Sequence, residues 1–446
     1  MPRRILGIVT VLLVAVLGLL LLLPGSSAAA ATSCPTGGGS TDAISARGQL
    51  LDNDKSPAEP VPGVTISVAD PQGEVVGKAT SDENGCWSIE LPGTASELKG
   101  ETLEATLDTE TLPEGVALRD PDKATQRLTF TTALSADKNV TFLIGTDPNT
   151  ATSIPVQALQ LLVTGILFSL VLALASLGLS MIFGTTGLVN FAHGELITFG
   201  AIVAYAFNNS LGIHVILAGV IATVVSGAFG WGQDLTLWRP LRNRGTGLVA
   251  MMIVSIGLSI FLRNVYQYLV GGDNHNYNQY ATVEPWEIGP ILLTPKSAIV
   301  ALVAIAVLVT VTLALQKTRI GKATRAVADN PALASASGIN VDRVIAIVWI
   351  GGAALAGLSG FLLGMTQGFD YQIGFKLLLL VFAAVTLGGL GTIWGALAGS
   401  LVVGVFIEMS TLIIPPELKF AGALAVLIVV LLFRPQGLLG RAERVG

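Results

Sequence analysis

Three polar side chains lie close together in an otherwise apolar stretch of the chain. Asn190, His193 and Glu195 bring hydrogen-bonding and titratable groups into this hydrophobic region, where such groups are costly unless they face a cavity, a partner or the protein interior. Gly184 and Gly187 lie just before them and interrupt helical continuity. We therefore predict that the segment forms part of a permeation path or its gate. The alternative is a short cytoplasmic hairpin whose polar groups are merely hydrated.

A second glycine-rich interruption lies in residues 386–396 and contains Gly388, Gly389 and Gly391. Paired interrupted segments in the two halves of a membrane domain are a sequence sign of a transport site formed by broken helices. We expect these glycines to lie along the same path or gate as the first segment. The alternative is close helix packing through small residues.

The polar residues 317–343 separate two apolar runs and predict a compact helical projection. A short helix, an Asn-Pro break and a second, alanine-rich helix follow one another there. Such a projection could fit a groove in a partner protein; the alternative is a solvated loop. The nearby Gly321-Lys322 pair lacks the preceding glycine and the following Ser or Thr of a phosphate-binding loop. We predict no catalytic, metal or cofactor site here, and any driving ATPase must be a separate chain.

The elements that position these groups are predicted to be membrane helices. Only 12% of the 446 residues are charged, against about 25% in soluble proteins. Apolar runs of roughly 20 residues, long enough to cross a bilayer, predict about nine spans in an all-α polytopic bundle over residues 151–446. They lie near 155–182, 193–208, 213–236, 247–268, 297–316, 344–366, 376–392, 394–413 and 418–433.

The basic residues predict the orientation of this bundle. With the N-terminal part outside, eleven Lys and Arg residues fall in the predicted inside loops and three in the outside loops. Cytoplasmic loops carry such an excess, so we predict an outside N-terminal domain and a cytoplasmic C-terminus. The charge distribution gives no indication of nucleic-acid binding.

The N-terminal residues 1–31 are typical of a signal peptide. Arg3 and Arg4 precede an apolar stretch, a Pro-Gly break and a run of small residues. An uncleaved anchor is the alternative, and both would export the residues that follow. Cys34 and Cys86 are the only cysteines and both lie in the exported part, where they could form a disulfide or remain two free thiols.

Residues 34–150 predict a small exported β-sandwich with an acidic surface. They contain 8 Lys and Arg against 19 Asp and Glu and no histidine. Turn sequences at 70–73 and 82–85 predict hairpins, and alternating apolar residues predict half-buried strands. These strands lie at 64–68, 87–90, 103–106, 128–131 and 140–143. The turn pattern resembles the carboxypeptidase-regulatory and collagen-adhesin B-type repeat domains.

Beyond these patterns, the stretch GLSMIFGTTGLVNFAHGELITFGAIVAY (178–205) resembles a signature of the inner-membrane permeases of branched-chain amino-acid ABC importers, and of relatives that take urea or short amides. Four further stretches fall in that family's order, and the resemblance covers about residues 154–440. They are RPLR (239–242), IGKATRAVADNPALASASGINVDR (320–343), GGLGTIWGA (388–396) and FRPQGLLG (433–440).

This resemblance implies a cell-membrane transport subunit that works by alternating access. The implied partners are two cytoplasmic ATPase subunits, a second like or related permease, an extracytoplasmic solute-binding protein and membrane lipid. The resemblance also implies that the helices near 323–338 dock on the ATPase as a coupling loop, with Arg325, Ala328, Asn330, Pro331 and Gly338 as its residues.

The exported domain departs from the family, whose typical members begin almost directly at the first span. Two other functional classes stay open at this stage. A secondary transporter would need carboxylates within its spans, and Glu408 is the main candidate. An adhesion or sensor protein would account for the exported domain but not for many spans with glycine-rich breaks.

Overall fold

A computed structural model of the chain describes two compact units, one of strands and one mainly of helices. The described residues are 44–52, 59–92, 102–113, 115–120, 123–129, 137–145, 153–277, 279, 285–415, and then 418, 421–422, 424–425, 428 and 432. The predicted signal segment 1–31 and Cys34 lie outside them, as does most of the predicted span 418–433.

The first unit contains nine short strands among the described residues. A four-stranded antiparallel sheet has the order β5-β4-β7-β8, and a three-stranded sheet has the order β6-β1-β9, in which β1 is antiparallel to β6 and parallel to β9. Alternate residues of β4 and β7 are buried, and both sheets contribute to one apolar core. The strands are β1 (Ile44–Gln49), β2 (Leu51–Asp52), β3 (Glu59–Pro60), β4 (Thr65–Ala69), β5 (Val75–Thr80), β6 (Cys86–Leu91), β7 (Thr102–Leu107), β8 (Thr125–Thr129) and β9 (Asp137–Asn139).

The two turns predicted in this unit are present. Gly73 and Gly85 have φ angles of 86° and 72°, a region that glycine enters at little cost. The prediction of a strand at 140–143 was wrong, because the backbone of these residues does not form a regular ladder of hydrogen bonds with a neighbouring strand. Val140 N donates to Arg47 O, whereas Leu143 O accepts from Arg119 N in a loop.

The second unit is built from helices that begin and end at glycines, polar caps or short breaks. They are α1 (Ile154–Thr186), α2 (His193–Tyr205), α3 (Val215–Gln233), α4 (Arg239–Asn243), α5 (Leu248–Val270), α6 (Pro295–Lys317), α7 (Arg319–Asp329), α8 (Pro331–Ala336), α9 (Val341–Gln367), α10 (Ile373–Gly388) and α11 (Ile393–Ser410). One turn of π-helix extends α2 and another joins α3 to α4. A hairpin of β10 (Trp286–Ile288) and β11 (Ile291–Leu293) precedes α6.

Six helical stretches in the described part of the chain are long and apolar enough to cross a membrane. They contain α1, α3 with α4, α5, α6, α9 and α11. The spans predicted at 193–208 and 376–392 correspond to α2 and α10, which have 13 and 16 residues. The fold is thus mostly helical with a small β unit, and the number of nine spans stays a prediction.

Helix α9 lies at the centre of the bundle and packs through small residues. A Cβ atom added to Gly178 of α1 would lie 2.6 Å from the carbonyl oxygen of Gly352, and one added to Gly200 of α2 would lie 2.1 Å from that of Gly357. Such contacts let helix backbones approach closely, which is a common basis of packing in membranes. The contact pairs make α1 antiparallel to both α9 and α11, because positions that rise along α1 meet positions that fall along its neighbours.

Candidate functional site

The chain turns back within the bundle between α1 and α2. His193, the first residue of α2, lies beside Ala175 of α1, with 3.0 Å between its Nε2 atom and the Ala175 oxygen. Because α1 continues from Ala175 to Thr186, a further rise of about 16 Å, residues 187–192 run back along its last turns. Helix α2 therefore starts about two-thirds of the way along α1 rather than at its end.

This returning segment is stabilised by side chains because it lacks helical hydrogen bonds. Asn190 accepts a hydrogen bond from Ala192 N at 3.1 Å through its Oδ1 atom, and its carbonyl accepts from His193 N. Ser255 of α5 accepts from Phe191 N at 3.0 Å. Backbone groups at membrane depth need such partners. Asn190 and Ser255 thus hold the break in place.

Glu195 lies in the first turn of α2 and is bound by two residues of α5. Its Oε1 atom accepts a hydrogen bond from Ser259 at 2.9 Å and lies 3.3 Å from Arg263. The Glu195 side chain is only 1% exposed, and that of Arg263 is 22% exposed. Tyr266 adds a third link, from its hydroxyl to the Glu195 carbonyl. A buried charge is tolerated when it is paired in this way.

Arg263 also contacts a third helix. Its guanidinium carbon lies 3.8 Å from the centre of the Phe375 ring in α10, a cation–π contact. Arg263 and Ser259 were not predicted as members of this site. Arg263 is the only charged residue of α5, and an isolated charge in an apolar helix indicates a buried partner.

The polar groups predicted at the first interruption are therefore buried rather than hydrated. Asn190, His193 and Glu195 are each 0% exposed. Each keeps one buried polar atom without a hydrogen-bond partner among the described residues: Nδ2, Nδ1 and Oε2, respectively. Most buried polar atoms are bonded, so this cluster has unused hydrogen-bonding capacity inside the bundle.

The structure brings the two glycine-rich interruptions together. A Cβ atom on Gly184 would lie 3.2 Å from the carbonyl oxygen of Gly391, and Ser180 donates a hydrogen bond to Thr392 O. A Cβ atom on Gly388 would lie only 1.8 Å from the carbonyl oxygen of Gly395, so α10 and α11 form a tighter, antiparallel pair. These contacts support the close-packing interpretation of the second segment.

The remaining predicted glycines lie at chain reversals. Gly187 ends α1 with a φ angle of 67° and faces Leu248 of α5, and Gly389 ends α10 with a φ angle of 110°. The start of α10 also meets the start of α2, because Gly374 packs directly on Gly194. The two short helices therefore contact each other where each begins.

Helices α7 and α8 form the projection that the sequence predicts between α6 and α9. Asn330 ends α7 and caps α8, since its Oδ1 atom accepts from Leu333 N at 3.0 Å. Pro331 is the first residue of α8, and Gly338 follows that helix with a φ angle of 86°. Ala328, Asn330 and Pro331 are exposed. The Leu333 side chain is 67% exposed.

The inner face of this projection is anchored to the bundle. Val327 of α7 and Ala334 of α8 are buried with Val344 of α9 in one apolar cluster. Arg325 donates a hydrogen bond to the Gln316 carbonyl at the end of α6. The projection is thus fixed on one side and accessible on the other, where Leu333 and Ala328 lie among polar residues.

A second basic loop lies at the same end of the bundle. Arg239 of α4 forms an ion pair at 2.9 Å with Asp342 in the first turn of α9. Arg242 pairs with the buried Asp234 at 2.8 Å. The loops after α3 and after α6 therefore share one end of the bundle. Among the described residues, no group of His, Cys, Asp and Glu could hold a metal ion.

Comparisons with known proteins identify the bundle. The family model of the branched-chain amino acid transport system permease component matches residues 161–431. The high-affinity branched-chain amino acid transport system permease protein LivH of Escherichia coli strain K12 is 35% identical over 299 residues, which are 64% of this chain and 96% of that protein. No solved structure matches.

Two further relatives carry related names. The permease protein BraD of a high-affinity branched-chain amino acid transport system in Pseudomonas aeruginosa is 32% identical over 301 residues, 64% of this chain and 96% of BraD. A probable LivH of Methanocaldococcus jannaschii is 31% identical over 249 residues, 54% of this chain and 77% of that protein. The matched region includes both interruptions and the α7–α8 projection. The chain belongs to the family of branched-chain amino acid transport system permease components.

Proposed function

We propose that the chain is the permease subunit of an ATP-driven importer for branched-chain amino acids and works by alternating access. Two ATPase subunits on separate chains would drive it, an extracytoplasmic binding protein would deliver the solute, and a second permease would complete the membrane part. The names of the relatives support the solute class. The α7–α8 projection is the observation that carries the link to ATP.

The projection has the properties that transmission of force requires. Its exposed side offers Leu333 and Ala328 to a groove, in the manner of helix-in-groove recognition. Its buried side contacts α9, the central helix of the bundle. A push on the projection would therefore reach α1, α2 and α3 through α9 rather than be absorbed by a flexible loop.

The orientation with this projection in the cytoplasm is supported by charge. The loops that carry Arg239 and Lys317 lie at one end of the bundle, and cytoplasmic loops are rich in such residues. Cysteines in place of Ser335 and Glu287 test it with a membrane-impermeant maleimide. We expect labelling at position 287 in intact cells and at position 335 only after lysis. The reverse pattern would contradict the orientation and the docking role together.

We place the gate at the cluster around Glu195 rather than along an open path. Glu195 and His193 are buried, and the ion pair of Glu195 with Arg263 joins α2 to α5. A change in the angle between α2 and α5 would alter the ion pair of Glu195 with Arg263. Such a change is expected of a gate that alternates between two conformations. If Glu195→Gln and His193→Ala both leave the transport rate and its coupling intact, this role is wrong.

Ala328→Arg tests the coupling function directly. The substitution adds a long charged side chain to the exposed face of α7 and leaves its buried face unchanged. We expect the assembled complex to hydrolyse ATP while ATP-driven leucine uptake into proteoliposomes falls at least about tenfold, a loss of about 1.4 kcal/mol of coupling. Ala117→Arg, at an exposed position of the β unit, is the matched control and should transport normally.

Two results would contradict the proposal. Normal uptake by the Ala328→Arg variant would exclude the projection as the coupling element. Leucine uptake by the wild-type chain alone, without ATP or partner proteins, would instead indicate a secondary transporter.

A further inference from the structure

A cavity of about 350 Å³ lies at the end of the bundle opposite the α7–α8 projection. It is bounded by α1, α9, α10 and α11 and by the loop after α5. Its volume falls within the range of about 300–1,000 Å³ that is usual for small-molecule sites. The cluster around Glu195 does not line it, so it is a separate feature of the bundle.

Opposite charges lie beside each other on the polar side of this cavity. Asp370 and Lys376 form an ion pair there, and their side chains are 25% and 45% exposed. Asp370 is also oriented by a hydrogen bond from Gln372 N to its Oδ1 atom. Amide side chains from Asn274 and Gln367 complete the polar lining.

The other walls of the cavity are aliphatic and aromatic. Leu377, Leu380 and Ile407 are almost fully buried, and Phe168 and Leu363 lie beside them in the lining. A ligand would therefore meet a carboxylate and an ammonium at the accessible side and hydrocarbon inside.

We propose that this cavity binds a free α-amino acid with an aliphatic side chain, as a zwitterion. The ligand's ammonium group would join Asp370, its carboxylate would join Lys376, and its side chain would enter the apolar part. Neither a sugar nor an inorganic ion matches all three features. The proposal deepens and rests on the proposed function, because it places a contact for the transported solute on the permease itself.

Helix α10 connects this cavity to the cluster around Glu195. Ile373, Lys376 and Leu380 line the cavity and share one helix face by their spacing. Gly374 and Leu378 lie on the adjoining face, against Gly194. A solute that separates Asp370 from Lys376 would therefore act on the helix that packs against the first turn of α2.

Binding of tritiated leucine to the purified full-length chain in nanodiscs tests this proposal. We expect leucinamide, which lacks the carboxylate, and 4-methylpentanoate, which lacks the ammonium, to compete at least about tenfold more weakly than leucine, since each has lost one charged hydrogen-bonding group. The double variant Asp370→Asn with Lys376→Gln keeps a neutral hydrogen-bonding pair and should lose affinity by a similar factor. Gln367→Trp, at the exposed edge of the cavity, should obstruct it without altering the core.

A matched control uses the exposed pair of Asp120 and Lys123 in the β unit, where the same two neutral substitutions should change nothing. Absence of leucine binding by the wild-type chain would overturn the inference, as would equal competition by both analogues. Unchanged affinity in the double variant would do the same. ATP-driven leucine uptake by the wild-type complex is measured in parallel. The uptake result tests the proposed function, and the binding result tests the cavity separately.

Discussion

Arg263→Met should destabilise the bundle far more than a typical charge removal. The variant removes the cation beside Glu195, whose side chain is 1% exposed, and leaves only Ser259 to compensate the carboxylate. Breaking a buried pair in this way costs about 3–5 kcal/mol. Neutralising a glutamate of ordinary pKa at pH 7 costs about 3.7 kcal/mol, which sets a similar upper limit for the charge contribution. We expect a loss of about 3–4 kcal/mol in the free energy of unfolding.

The same argument predicts a dependence on pH and on the partner. Without Arg263, protonation of the Glu195 carboxylate relieves the cost of its uncompensated charge, so the loss should be smaller at pH 5 than at pH 7. Glu195→Gln should cost about 1–2 kcal/mol, because Arg263 is partly exposed and stacks on Phe375. The double variant should cost less than Arg263→Met alone.

Unfolding by SDS titration in mixed micelles, followed by circular dichroism, measures these values at both pH values. Lys123→Met breaks an exposed ion pair and is the control, with an expected change below about 1 kcal/mol. Additive effects of the two substitutions, or a loss for Arg263→Met that does not change with pH, would refute the reasoning.

Two further predictions concern packing and the exported part. Gly200→Ala places a Cβ atom 2.1 Å from a carbonyl oxygen of α9, whereas Gly257→Ala meets nothing within 4 Å. In the same titration, Gly200→Ala should lower the free energy of unfolding by about 1–3 kcal/mol, and Gly257→Ala should not lower it. Peptide mapping without reduction should find Cys34 linked to Cys86 in protein taken from its native membrane, and two unlinked peptides would show that the disulfide prediction is wrong.

The sequence predicted those helices and turns that depend mainly on residues close in the chain. The α7–α8 projection followed from its Asn-Pro break, and a helix lies on each side of that break, although α7 begins at Arg319 rather than near residue 323. The turns at Gly73 and Gly85 followed from residues that favour positive φ. Each depends on neighbours a few positions away, so a single sequence is sufficient.

Features that depend on distant contacts could not be predicted in this way. Ser259 and Arg263 meet Glu195 across more than sixty positions, and only the isolated charge of Arg263 indicated a partner. The return of residues 187–192 beside α1 could not be predicted either, because it depends on contacts with α1 and α5. Hydropathy indicates whether a residue has an apolar environment, but it does not indicate the direction in which the backbone runs.

The start of α2 beside the last third of α1 has a consequence for how the protein enters the membrane. Even with the π-helical turn that extends it, α2 falls short of about 30 Å of hydrocarbon, so we expect it to enter the membrane together with α1. The Phe191 amide is then without its acceptor until Ser255 arrives with α5. During synthesis, residues 187–192 should therefore first be hydrated or shielded by the insertion machinery. They should pack as in the final structure only after α5 has left the ribosome.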